Sequence, residues 1–384
     1  LFCVHCGEKV NGDGKFCTGC GSERVQPVFK SVYAGEMNSY AAGIEEQPAK
    51  SVPDQVKGTL LQATERINAM VGEQGTIEVN LKDVFSSVFK KHEKEEGELL
   101  FIAGTSLTTP NESEISASWP KPWLFSRIFL MLVFAYILLY VCVFEFQNSN
   151  AIPGLILVGS FAVPFSLLIF FWEMNAPRNI SIYETAKMFF IGGTASLVLT
   201  LILYSIFPVY HSIYGLDYTG ATVVGIVEEV GKLAVIIYFI KKLNPKFILN
   251  GLLIGATVGA GFAAFESAGY VFNALGYETD AMLSTIFLRA WTAIGTHIVW
   301  SAIAGAALVY VKGDHALITD HVLNVNFLKL FVISVILHAV WDMPIHTGEY
   351  FYLLSFVLIG VAWLFIFTFI NAGLKQIGRL NVNE

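Results

Sequence analysis

"GIVEEVGKLAVII", Gly225 to Ile237, places Glu228, Glu229 and Lys232 inside an otherwise apolar stretch. Its flanks read as a membrane-spanning helix, where each such charge costs roughly 2.5 to 3.5 kcal/mol at the helix centre. Groups that expensive need partners on neighbouring helices. Composition agrees with membrane embedding. Of 384 residues, 54% are hydrophobic and 14% charged, against about 25% charged in an ordinary soluble domain. The mean hydropathy is +0.59. The net charge of −7 decides little, because the charges are spread very unevenly.

From Leu124 onward, apolar runs of about 20 residues, enough for a ~30 Å hydrocarbon core, recur along the chain. Eight spans are expected, roughly 124–144, 151–172, 187–209, 222–240, 247–273, 284–311, 327–345 and 350–372. Lys121 and Arg127, Arg178 and Lys187, Lys241, Lys242 and Lys246, Lys312 and Lys329, and Lys375 and Arg379 all fall at alternate connections. The other connections, "EFQNSN", "HSIYGLDYTG", "NALGYETDAM" and "HTGEY", hold no Lys or Arg. The positive-inside rule then expects a multi-pass protein of the bacterial plasma membrane with both termini cytoplasmic. The fold class is all-α polytopic, with about eight transmembrane helices and a small N-terminal zinc ribbon.

The ribbon is read from "CVHCGEKVNGDGKFCTGCG". Cys3, Cys6, Cys17 and Cys20 form two C-x-x-C knuckles, each followed by Gly, a spacing that sets four thiolates around one structural Zn2+. The polar opening does not read as a signal peptide, so the expected compartment is reducing and favours metal over disulfides. The domains read as a zinc ribbon at 1–24, a cytoplasmic linker or small soluble segment at 25–120, a transmembrane domain at 121–376 and a tail at 377–384. Partners expected are the lipid bilayer and a membrane substrate, with no nucleic acid; the partner of the ribbon is unassigned.

Polar residues recur at similar depth on later spans: Glu266 in "GFAAFESAGYVF", Arg289 and His297 on the sixth span, His338 and Asp342 in "LHAVWDMPIH". Glu228 and Lys232, like His338 and Asp342, are spaced i, i+4 and can pair along their helices. Gly251, Gly255 and Gly259 recur every four residues, a row expected to bring Glu266 close to Glu228 and Glu229. Carboxylates beside imidazoles in a dehydrated cavity can hold and activate water. Two His with a Glu can instead bind a catalytic divalent metal with an open position, the candidate ligands being Glu266, His297 and His338. Adjacent Glu228 and Glu229 project about 100° apart and are poor joint chelators, which favours water activation by Glu and His. Peptide-bond hydrolysis fits this chemistry best. The alternatives are an ion- or proton-coupled transporter or channel, and a noncatalytic membrane sensor or scaffold.

"EEVGK" (228–232), "FAAFE" (262–266), Arg289 with His297, and "HAVWD" (338–342) resemble, in order and spacing, the motifs of the PrsW intramembrane protease family. That family is related to the CAAX-prenyl endopeptidase and bacteriocin-processing group. The similarity runs over roughly 124–375. It implies an intramembrane endopeptidase, of glutamate or metallo type, acting on a single-span membrane protein or peptide, such as an anti-sigma factor, near the extracytoplasmic face. Glu228, Glu229, Glu266, His338 and His297 are then the catalytic candidates, with Lys232, Arg289 and Asp342 supporting.

Overall fold

The structure, a computed structural model, describes residues 52–77, 79–209, 216–345 and 350–383. Cys3, Cys6, Cys17 and Cys20, and with them the expected zinc ribbon, lie outside the described residues. The chain divides into two compact units, residues 1–59 and 60–384, and all the apolar spans belong to the second. Among the described residues every regular element is helical. The longer ones are α1 (Val52–Met70), α2 (Lys94–Phe101), α3 (Leu124–Phe144), α4 (Ile152–Met174), α5 (Ile182–Ile206), α6 (Tyr218–Leu243), α7 (Ile248–Leu275), α8 (Thr279–Thr292), α9 (His297–Lys312), α10 (Val325–Asp342) and α11 (Tyr350–Asn383).

Seven described helical segments, with α8 and α9 counted as one, are long and apolar enough to cross a membrane. The remaining expected span, the fourth (222–240), is α6; it has the length, 26 residues, but Glu228, Glu229 and Lys232 interrupt its apolar character. Its ends are well defined. Asp217 caps the start, accepting the Gly220 N–H at 2.6 Å. Lys241 and Lys242 offset the dipole of the last turn before Asn244 turns left-handed at φ 41°. The sixth expected span, 284–311, is not one continuous helix. It breaks at residues 293–296, and His297 opens α9.

α7 is the central rod, with 94% of its apolar window buried, whereas peripheral α3 is buried along only 6%. The glycine row makes that position possible, but its partner is α9 and not α6. A Cβ on Gly255 would lie 2.0 Å from the Ser301 carbonyl oxygen, and one on Gly259 would lie 2.4 Å from that of His297. The row is therefore what holds the start of α9, and His297 with it, against α7. Across α7 the backbone of Gly261 meets Phe189 and Gly193 of α5, beside the π-helical segment Met188–Gly192. Gly255→Leu is expected to force α7 and α9 apart and to cost about 3 kcal/mol or more. A fall in Tm of the detergent-solubilised protein checks this, with Gly269→Ala as a silent control because nothing lies within 4 Å of that Cβ.

The part of the expected linker from residue 60 onward packs on the bundle, at the end that carries Lys246, Lys375 and Arg379. Glu73 pairs with Arg379 at 2.8 Å and Lys375 at 3.6 Å, and Glu112 pairs with Lys246. His92 stacks on Trp123 with 3.8 Å between ring centroids. At the same end Glu173 accepts the N–H groups of Trp123, Leu124 and Phe125 at 2.8, 2.9 and 2.9 Å. It supplies the N-terminal cap that no α3 residue provides.

Candidate active site

The break between α8 and α9, the glycine contact at Gly259 and the caps of α6 bring the predicted polar residues to one place. Glu228, Glu229 and Lys232 come from α6, Glu266 from α7, Arg289 from α8, His297 from α9, and His338 and Asp342 from α10. A cavity of about 700 Å³ is lined by Glu228, Glu266, Arg289, His297, His338 and Asp342, together with residues of α5. At 1.5 Å per residue, Glu228 lies about 15 Å along α6 from its first residue, Tyr218.

The two adjacent glutamates have separate jobs, as their 100° separation demands. Glu229 is 1% exposed and sits behind the cavity wall. Its Oε1 accepts from Lys232 Nζ at 2.5 Å and from His338 Nδ1 at 2.8 Å. An ionised carboxylate can only accept, so the proton of His338 sits on Nδ1 and its Nε2 lone pair points elsewhere. That Nε2 lies 3.4 Å from Asp342 Oδ2 and 3.6 Å from Glu228 Oε2. Trp300 stacks on the His338 ring at 4.5 Å and holds its plane.

Glu228 faces the cavity. Its Oε1 accepts from the Tyr204 hydroxyl at 3.0 Å, while Oε2 is buried and has no hydrogen-bond donor. His297 Nδ1 lies 3.9 Å from that Oε2, and His297 Nε2 lies 3.1 Å from Glu266 Oε2. Arg289 pairs with Glu266, donates to Ser267 Oγ at 2.8 Å and rests over the Tyr270 ring. The buried charges are thus balanced pair by pair, Lys232 with Glu229 and Arg289 with Glu266, and Glu228 is left with an uncommitted oxygen. Lys232 is further held over the Phe262 ring at 4.5 Å.

Residues 182–370 match the family model described as PrsW family intramembrane metalloprotease. This stretch is a PrsW-family protease domain. No curated protein and no solved structure matches the chain. The PrsW domain begins at α5, later than the Leu124 start read from the sequence, so α3 and α4 lie outside the match. The predicted catalytic and supporting residues fall inside it, and so does Tyr204, whereas Cys3, Cys6, Cys17 and Cys20 precede it.

The donor set fits a divalent metal. Atoms of Glu228, His297 and His338 that can bind an ion all lie within 4.8 Å of one another. The orphaned Glu228 Oε2 and the His338 Nε2 freed by Glu229 are the features a bound cation calls for, and Glu229 completes a carboxylate–histidine support. The ligand set differs from the sequence expectation in one member: Glu228 takes the place of Glu266, whose carboxylate is taken up by Arg289 and His297. The objection that adjacent glutamates chelate poorly loses its force, because only one of them joins the set. Lys232 Nζ lies 2.9 Å from His297 Nδ1, so an ion bound through that nitrogen would displace the ammonium towards Glu229.

Sequence reading missed Tyr204, Trp300 and Ser267. Trp300 sits three residues after His297, on the same helical face, and that spacing was its only signal.

Proposed function

We propose that the chain is a bacterial intramembrane endopeptidase that hydrolyses a peptide bond of a single-span membrane protein, such as an anti-sigma factor, near the extracytoplasmic face. The observation that carries the proposal is the buried, donorless Glu228 Oε2 facing two imidazoles across a cavity inside a PrsW-family domain. Glu228, His297 and His338 would hold a divalent ion there, which would supply Lewis acidity towards water and the peptide carbonyl.

The chain's own groups do the rest. Glu229, fixed by Lys232, keeps the His338 proton on Nδ1. Arg289 and His297 take up Glu266, so Asp342, 3.4 Å from His338 Nε2 at the cavity edge, is the carboxylate left to take the proton of the attacking water. That proton returns to the amide nitrogen as the C–N bond breaks, and the products are a carboxylate and an amine.

In this reading α6 brings the number of spans to eight, because its charged groups face partners and the cavity inside the bundle and not lipid. The lysine-rich connections then lie in the cytoplasm with both termini, and residues 1–24 hold a structural zinc. The test is a reconstituted preparation with a labelled single-span substrate. Chelator treatment is expected to stop cleavage and one equivalent of a divalent metal to restore it. Undiminished turnover in protein shown to have lost every metal ion except that of the cysteine site would contradict the metal-dependent mechanism.

A further inference from the structure

The geometry points to Tyr204 of α5 as the positioning residue that decides which oxygen of Glu228 faces the reaction, an inference that rests on the proteolytic reading of this cavity. A glutamate on a helix can rotate about its last torsion, and its two oxygens are chemically equivalent until something distinguishes them. Here the distinction has one source. The Tyr204 hydroxyl donates to Oε1 at 3.0 Å, and Oε2 receives no hydrogen bond although it is buried. The oxygen left free is the one 3.6 Å from His338 Nε2 and 3.9 Å from His297 Nδ1.

Glu228 has little else to orient it. Lys232 is engaged with Glu229 and His297, and Arg289 is engaged with Glu266 and Ser267. Tyr204 is well suited to the task because it comes from a different helix, anchored independently. Two residues on the face of α5 towards α6 and α7 define its register. Thr200 packs its hydroxyl against Gly231 of α6, and Gly193 meets Gly261 of α7. The ring itself lines the same cavity. Tyr204 thus acts on Glu228 as Glu229 acts on His338: a neighbouring polar group fixes one atom so that the other is presented.

The test compares the full chain with Tyr204→Phe, which removes only the hydroxyl. Two readouts are used besides turnover. The first is titration with Co2+, whose histidine–carboxylate absorption is separable from the charge-transfer bands of thiolate sites. Tyr204→Phe is expected to weaken Co2+ binding at the histidine–carboxylate site about 10- to 100-fold, and to lower kcat by a similar factor with KM within about twofold. The second is the infrared carboxylate band of Glu228, identified by its loss in Glu228→Gln, which is expected to shift in Tyr204→Phe. In the Glu228→Gln background, adding Tyr204→Phe is expected to change Co2+ affinity no further, because the hydroxyl acts only through Glu228.

An unshifted Glu228 band overturns the proposal, as does an equal loss of Co2+ affinity in both backgrounds, which would mean that the ring packs and the hydroxyl does nothing. The infrared readout needs neither metal nor turnover. A shifted band in a protein that cleaves no single-span substrate would therefore leave Tyr204 as the residue orienting Glu228 and overturn the proteolytic reading alone.

Discussion

Glu228→Gln is expected to lower kcat for a single-span substrate by about 10³-fold or more while leaving the fold intact. The substitution keeps the shape and still offers Tyr204 an oxygen to bond. It removes the charge at the one carboxylate oxygen that faces both His297 and His338 without a donor of its own. In the metal-free protein, stability moves the other way from activity. Glu228 is 7% exposed and has no cation of its own, since Lys232 is committed to Glu229 and Arg289 to Glu266. Neutralising it relieves an uncompensated buried charge, so Tm stays level or rises. Single-turnover cleavage together with a melting curve checks both halves. An inactive variant that also melts early would say that Glu228 is structural.

Lys232→Met is expected to destabilise the protein by about 3–5 kcal/mol, the usual cost of removing one partner from a buried ion pair. Lys232 is fully buried, donates to Glu229 at 2.5 Å and lies 2.9 Å from His297 Nδ1. Without it Glu229 keeps its charge with only His338 to bond it. Glu229→Gln in the same chain is expected to recover much of the lost stability but little activity, because the support for His338 is then gone. Thermal melting of the two single variants and the double variant measures the coupling. Additive losses would mean that the two groups do not act as a pair.

The sequence made the site legible because charge inside a span is costly and so has to be explained by its neighbours. The i, i+4 spacing of His338 and Asp342, and the common depth of Glu228, Glu266 and His297, were enough to place those groups together. What the spacing could not show was who pairs with whom. Glu266 is the carboxylate that sequence offers as metal ligand, and it gives way to Glu228 because Arg289 holds it. The glycine row announced a close approach but not its partner, since Gly255 meets Ser301 of α9 and leaves α6 to other contacts. The helix break before His297 carries no proline. It coincides with Gly295 pressed against Ile359 of α11, a contact distant in sequence. Tyr204 was hidden for a different reason. A tyrosine near the end of an apolar span reads as one of the aromatic residues that favour the membrane interface. Only its hydroxyl's contact with Glu228 distinguishes it.

Hydrolysis of a peptide bond within a membrane-anchored chain is the central claim for this cavity. Mass spectrometry of a reconstituted single-span substrate incubated in ¹⁸O-labelled water tests it most directly. The expected result is one principal cut in the extracytoplasmic part of the span, with a single ¹⁸O atom in the new C-terminal carboxylate and no product from Glu228→Gln. An intact substrate, or a product formed as fast by Glu228→Gln as by the unaltered protein, would contradict it.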